Sequence, residues 1–359
     1  MKYILAIDSF KGSLSSMEVE AEIAEVLTEK GADVVSLPMS DGGDGMLEAF
    51  TKALGGTIEP VYVHNQMMRR VDAAFGMTAD GTAIVEVAQA CGLELVKEDE
   101  RNPMRATTYG VGELLSRAVK RGCRNFIIGL GGSGTSDAGI GMLRALVDIF
   151  AKGKTFDDAM QTELGECRFT LACDVDNPLC GENGAACVYA PQKGATLQMV
   201  EQLDRRAKLF AEKSALHYGY DRSCCPGAGA AGGLGYAFMQ YLGAEMRSGA
   251  DMLLSLCRFD DVAKDADMII TGEGHADRQT LMGKLPQKVL QRGQQIDVPV
   301  GLVAGRVDAK EQLLEAGFRF AESVTPDGMS TAEAMKKEVA QANLRRWADF
   351  HHHHELFND

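Results

Sequence analysis

The chain has 359 residues, of which 45% are hydrophobic and 25% charged, an ordinary globular composition with length enough for two cores. Lys and Arg number 37 against 51 Asp and Glu, so a net charge of −14 would repel a phosphate backbone, and no nucleic acid partner is expected. Charged residues interrupt every apolar segment well short of the roughly 20 residues a membrane helix needs, and the start of the chain lacks a basic region followed by an apolar stretch, so the expectation is a soluble cytoplasmic protein without a membrane partner.

The first apolar run, Tyr3 to Ile7, reads as a buried strand that delivers Asp8, Ser9, Lys11, Gly12 and Ser13 to its carboxyl end. Ser15 and Glu18 have capping-box spacing, and Val19, Ile23, Val26 and Leu27 recur on one helical face until Gly31 supplies a stop. A second strand in ADVVSLPMS, the loop SDGGDG and a short helix through Leu47, Phe50 and Leu54 repeat the order, which predicts a parallel sheet with polar loops at one edge. From about residue 57 the strands shorten, and VDAAFGMT and GTAIVEVA read as a hairpin joined at Asp80-Gly81. A helix around Val111 to Val119, the strand NFIIGL, a glycine-rich loop, a further helix and the strand FTLACDV follow. Next comes an amphipathic helix with Val200, Leu203, Ala207 and Phe210 on one face. The strand–loop–helix rhythm returns at Asp267 with DMIITGEG, a helix after Pro286, VPVGLVAG, another helix, RFAESVT and a last helix capped by Ser330 with Glu333. The pattern predicts a second domain, 58–259, inserted into a first made of 1–57 and 260–359.

Nine cysteines without a C-x-x-C pair argue against a disulfide framework or a zinc site, and Cys173 in FTLACDV reads as a small buried hydrophobe. Four adjacent histidines, His351 to His354, do not make a defined ligand cage. Gly129, Gly131 and Gly134 have G-x-G-x-x-G spacing between a strand and a helix, which raises an NAD-dependent dehydrogenase as one reading. Against it, 40 glycines make chance matches frequent, Gly227, Gly229 and Gly232 match again after no strand, and Asp148 comes too early to be the expected acid. The less specific reading is a nest of backbone N–H groups for a phosphate or a substrate carboxylate, with Gly131, Gly132 and Ser133 as candidate substrate contacts. Gly283-Lys284 is followed by Leu285 and so fails as a Walker A triplet.

Four loops share acids and strand-end positions: DSFKGS (8–13), SDGGDG (40–45), CDVDNP (173–178) and TGEGHADRQT (271–280). Turn chemistry explains one such loop, but four at predicted carboxyl ends of strands mark the ligand edge of an open α/β sheet. Clustered carboxylates call for a cation such as Mg²⁺, Lys11 and Lys193 can neutralise phosphate oxygens, and a carboxylate can take the proton of an attacking hydroxyl. These are the parts of a small-molecule kinase.

The segments AIDSFKGSLSS, SDGGDG, RNPMRATTYGVGELL, GLGGSGTSDAGIGM, CDVDNPLCGENGAACVYAPQKGA, PGAGAAGGLG and ITGEGHADRQTLMGK resemble, in this order, the motifs of the type I bacterial glycerate kinases, from Met1 to about residue 310. The resemblance implies an α/β protein of two α/β domains, one flavodoxin-like or Rossmann-like with a parallel sheet and a mixed α/β domain inserted into it. It implies ATP-dependent phosphorylation of D-glycerate with Mg²⁺, commonly to 2-phosphoglycerate, in the interdomain cleft. Carried over by position, it implies Asp8, Lys11 and Asp174 as catalytic, Ser9, Asp176 and Asn177 as substrate-binding, and Asp41, Glu273 and Asp277 as metal-binding. Either Asp8 or Asp174 could take the proton while the other holds Mg²⁺ through water. The chain departs from the family pattern at Asp44 (Glu expected), Ser136 (Asn), His275-Ala276 (Arg-Ile) and Arg278 (Gly), changes that bear on substrate preference and turnover. The alternative is a non-catalytic regulator that binds a nucleotide or sugar acid on the same fold. The implied partners are D-glycerate and ATP, with homo-oligomerisation open.

Overall fold

The computed structural model describes residues 1–43 and 45–353; Asp44 and His354 of the sequence reading lie outside the described residues. Eleven strands occur among them, in chain order β1 (Lys2–Ile7), β2 (Asp33–Ser36), β3 (Thr57–His64), β4 (Arg70–Met77), β5 (Thr82–Glu86), β6 (Asn125–Gly129), β7 (Arg168–Ala172), β8 (Glu245–Arg247), β9 (Met268–Ala276), β10 (Val300–Val307) and β11 (Ala321–Ser323). The chain divides into two compact units, one of Met1–Gly45 with the segment from Ala250 onward, the other of Met46–Gly249. The α/β class expected from the sequence holds in both. No helix among the described residues is long and apolar enough to cross a membrane.

The first unit carries a sheet of order β11-β10-β9-β1-β2, parallel throughout. Its central strands are near-continuous apolar runs because both faces are covered: Ile4, Leu5, Ala6 and Ile7 of β1 and Ile269 of β9 are wholly buried. The helix Ser16–Glu29 starts on the predicted capping box, with Glu18 N donating to Ser15 Oγ at 3.3 Å and Ser15 N to Glu18 Oε2 at 2.9 Å. Its Val19, Ile23, Val26 and Leu27 pack in one core with Leu344 and Trp347 of the helix Lys337–His353. Strand β1 has β2 on one side and β9 on the other, so the strand order reverses there, and the crevice beyond the carboxyl ends of β1 and β9 is where open α/β sheets bind ligands.

The second unit holds a sheet of order β3-β4-β5-β6-β7-β8, antiparallel across β3, β4 and β5 and parallel from β5 to β8. The Asp80-Gly81 hairpin is present: Thr78 N donates to Thr82 O at 3.0 Å, and Gly81 takes the positive φ of 79° that the turn needs. The helix Met46–Ala53 belongs to this unit, whereas the sequence reading grouped it with the first. Glu86 Oε2 accepts from Leu47 N at 3.1 Å at its start, and Thr51 packs so closely on Gly76 that a Cβ there would lie 2.0 Å from Thr51 Oγ1. Helix Leu197–Tyr218 lays Val200, Leu203, Ala207 and Phe210 inward as expected. All nine cysteines are free thiols.

Candidate active site

At the end of β1 the chain turns sharply. Phe10 N donates to Leu14 O at 2.8 Å and Leu14 N to Phe10 O at 3.0 Å, both side chains are buried as anchors, and Gly12 has φ 73°, the left-handed backbone glycine adopts without strain. Ser16 Oγ accepts from Met39 N at 2.8 Å and donates to Ile7 O, tying this turn to the loop that carries Asp41. On the neighbouring strand Gly272 stands opposite Ile7, so Asp8 and Glu273 each lie one residue beyond a paired position. Gly272 is required because a Cβ there would lie 1.9 Å from Val303 O of β10.

Asp8 is buried, with Ser9 N donating to its Oδ1 at 2.7 Å. Burial first, and then the charge of Asp41, hold its carboxyl well above the usual carboxylate range; Lys11 and the Ser9 N–H pull the other way, and Glu273 adds to the rise. Glu273 is engaged on both oxygens, accepting from Thr280 Oγ1 at 2.6 Å and from Lys284 Nζ at 3.1 Å. Asp277 caps a short 3₁₀ turn, Oδ1 accepting from Gln279 N at 2.7 Å, and Thr280 Oγ1 in turn accepts from Asp277 N at 2.9 Å. Asp41 Oδ1 accepts from Gly43 N at 3.0 Å. These residues, with Ser9, Lys11 and Ser13, line a cavity of about 710 Å³ that continues to Pro326, Met329 and Met335. Among the described residues no cluster of three or more acidic, histidine or cysteine side chains is arranged to hold a metal ion.

The departing segment closes β9. His275 Nε2 lies 2.8 Å from Asp308 Oδ2, Arg306 Nε donates to Asp308 Oδ1 at 2.7 Å, and these two, Arg306 first, hold the Asp308 carboxyl below its usual range. Ala276 is buried.

In the second unit Asp174 and Asp176 are exposed just after β7. Asn177 is held locally, its Nδ2 donating to Asn183 O at 2.8 Å and its Oδ1 accepting from Tyr189 Oη at 2.5 Å. Gly131 and Gly132 follow β6, Gly132 with φ 71°, and Ser133 is buried with Oγ 3.0 Å from Thr135 Oγ1. The helix Ile140–Phe150 that follows has its N-terminus filled from within: Asp137 accepts from Gly139 N and Gly141 N at 3.1 Å each and from Thr108 N at 2.8 Å. The backbone amides a dinucleotide phosphate would use at that helix start are thus already bonded. The second G-x-G-x-x-G match serves packing, because a Cβ on Gly232 would lie 2.0 Å from Thr135 O, and Gly232 O accepts from Ala138 N at 3.0 Å. Lys193 corrects the sequence reading. It is 3% exposed, far from solvating a phosphate, and its Nζ donates to Thr135 O at 2.6 Å. Burial pulls its ammonium down to about 8, against the opposing pull of Cys91 and Asp137.

The structure therefore brings Asp8, Ser9, Lys11, Asp41, Glu273 and Asp277 to one cavity of the first unit and sets Asp174, Asp176, Asn177, Gly131, Gly132 and Ser133 in the second. Sequence reasoning places Ser13 at the strand end without a role and passes over Thr280 and Lys284 as site residues. The available signal for Lys284 was its place seven residues after an acidic strand-end loop begins to turn back, yet Gly283-Lys284 was weighed only as a Walker A triplet.

Known proteins match the chain over nearly its whole length. The Glycerate kinase family matches residues 3–350. A glycerate kinase of Bacillus subtilis (strain 168) is 37% identical, covering 94% of this chain and 93% of its own length. Glycerate 2-kinase of Escherichia coli (strain K12) is 39% identical over 85% of each. A crystal structure from Salmonella typhimurium LT2, provisionally assigned as glycerate kinase 2, superposes with a TM-score of 0.78 at 35% identity and covers 98% of this chain and 96% of that one. The chain therefore belongs to the glycerate kinase family, an enzyme that phosphorylates glycerate.

Proposed function

We propose that the protein transfers the terminal phosphoryl group of ATP to D-glycerate, with Mg²⁺, and that the product is 2-phosphoglycerate. The observation that carries the chemistry is Asp8: a buried carboxyl, fixed by β1 and the Ser9 N–H, whose proton affinity is raised by burial and by Asp41. Such a group is suited to accept a hydroxyl proton as the bond to phosphorus forms, because a base works best when its pKa approaches the working pH. Lys11, on the same turn, supplies positive charge for the phosphoryl oxygens. Asp174, exposed after β7, is the second catalytic carboxylate in this reading; Asp176, Asn177 and the Gly131–Ser133 segment are its glycerate contacts, while Ser9, in the cavity of the first unit, contacts the other substrate, the nucleotide.

The donor set fits a hard divalent cation, which takes one or two protein carboxylates and keeps its remaining positions for water and phosphate. Asp41 would hold it, with Glu273 and Asp277 beside the same cavity reaching it through water, and bound Mg²⁺ would neutralise phosphate charge there. The name of the Escherichia coli relative, a glycerate 2-kinase, supports attack by the 2-hydroxyl. The test is incubation with ATP, Mg²⁺ and D-glycerate, following ADP release and locating the phosphate by NMR. Phosphate on the third carbon would overturn the regiochemistry, and absence of ADP release would overturn the reaction.

A further inference from the structure

Ser9 and Ser13 each carry a buried hydroxyl oxygen that has no hydrogen-bond partner among the described residues. Ser9 is only 6% exposed, and both residues line the cavity of the first unit. A hydroxyl taken from water and left unpaired costs stability, and native proteins keep such groups rarely. Slack does not explain these two, because the Phe10–Leu14 hydrogen bonds and the packing of Met335 against Gly12, 3.0 Å from where a Cβ would stand, fix the turn that presents them.

We infer that Ser9 and Ser13 form a cradle that donates hydrogen bonds to an oxyanion of the bound ligand, and that this oxyanion is a phosphate of the nucleotide. The inference rests on the kinase reading above and names which substrate occupies this cavity. Two features choose phosphate over the carboxylate of the hydroxy acid. The cavity, at about 710 Å³, far exceeds what a three-carbon acid fills, and its lining includes Pro326, Met329 and Met335, apolar side chains against which a base can lie. The carboxyls of Asp8 and Asp41 beside the turn also favour an oxyanion that arrives with a divalent cation, as a nucleotide phosphate does and a simple carboxylate does not. Lys11, between the two serines, adds a cationic side chain to the same turn.

The experiment is calorimetric titration of the full chain with MgADP and, separately, with D-glycerate, for the wild type, Ser9→Ala and Ser13→Ala, with a thermal melt of each. The expected result is a loss of MgADP affinity of roughly tenfold or more per hydroxyl, as for one hydrogen bond to a charged group, with D-glycerate affinity held within about twofold. Melting temperatures should stay level or rise, because removing an unpaired buried hydroxyl removes a desolvation cost. Unchanged MgADP affinity, or a lowered melting temperature without affinity loss, would overturn the cradle by making the serines structural. A loss confined to D-glycerate would overturn the nucleotide assignment. Wild-type turnover is measured alongside; its absence would count against the kinase reading alone, since the MgADP titration reads the cradle without chemistry.

Discussion

Lys193 donates its Nζ to the carbonyl oxygen of Thr135 at 2.6 Å from a fully buried position, so one ammonium pins the loop between β6 and the helix Ile140–Phe150. Because its pKa falls from 10.5 to about 8 on folding, the unfolded chain binds a proton that the folded chain lacks between those values, and stability rises with pH across that window. The wild type should therefore gain up to about 3 kcal/mol over Lys193→Met from pH 8 to pH 10. Urea unfolding of both proteins at several pH values measures the gap; a constant gap would mean that the lysine titrates as it does in water.

Asp8→Asn and Asp174→Asn should fold with near-native melting temperatures yet lose about 10² to 10⁴ of turnover, the usual contribution of a positioned acid or base. The raised carboxyl of Asp8 stabilises the fold fully below its unfolded value, and that contribution is lost as pH rises through the folded value. Turnover runs the opposite way, since the base must be ionised, so the wild-type rate should climb with pH through a value above the ordinary carboxylate range. A rate profile without that limb would remove Asp8 from proton transfer.

Thr280 joins the two acids of its loop, donating to Glu273 and accepting from Asp277 N while wholly buried. Thr280→Val keeps the shape and breaks both bonds, which should cost about 1 to 3 kcal/mol. Denaturant midpoints give the cost, and a neutral result would show that the loop holds Glu273 through Lys284 alone.

The ion pair of His351 with Glu322 clamps the helix Lys337–His353 to β11. Burial alone would lower the His351 pKa, but hydrogen bonding to Glu322 and to Trp347 O outweighs it and the net shift is upward. Glu322, despite burial, is held low by His351 and by Trp347 Nε1. The Glu322 contribution is present above 4.5 and lost as pH falls through its depressed value. The His351 contribution is present below 6.5 and lost as pH rises through its raised value. Stability lent by the pair should thus peak at mildly acidic pH, and His351→Gln should flatten that peak in melts taken from pH 4 to 9.

Much of this was open to reading along the chain because it is local. The apolar run Tyr3–Ile7 breaking into Asp8, the capping box at Ser15 and Glu18 and the Asp80-Gly81 hairpin each place cause and effect within a few residues. Four acid-bearing loops at strand ends could be seen for the same reason. Lys193 was misread because lysine is solvated by default, and its partner Thr135 lies 58 residues earlier in another loop. The helix Met46–Ala53 was grouped with the wrong neighbours because its amphipathic pattern says that one face is covered and not by what. Ser13 is visible at the strand end, but its unpaired hydroxyl is a property of packing, which spacing does not record.

The pairing of Tyr3 with Met268 has a consequence for how the molecule is made. The second strand-bearing segment of the first unit leaves the ribosome only after all of residues 46–249 have done so. For most of synthesis β1 and the helix after it must wait with their apolar faces unfilled, while the later-emerging middle segment already has every strand of its own sheet. Asp8 and Glu273 come together only once β9 has joined β1, so the exposed segment that carries β1 is where a holding chaperone would find its grip during synthesis.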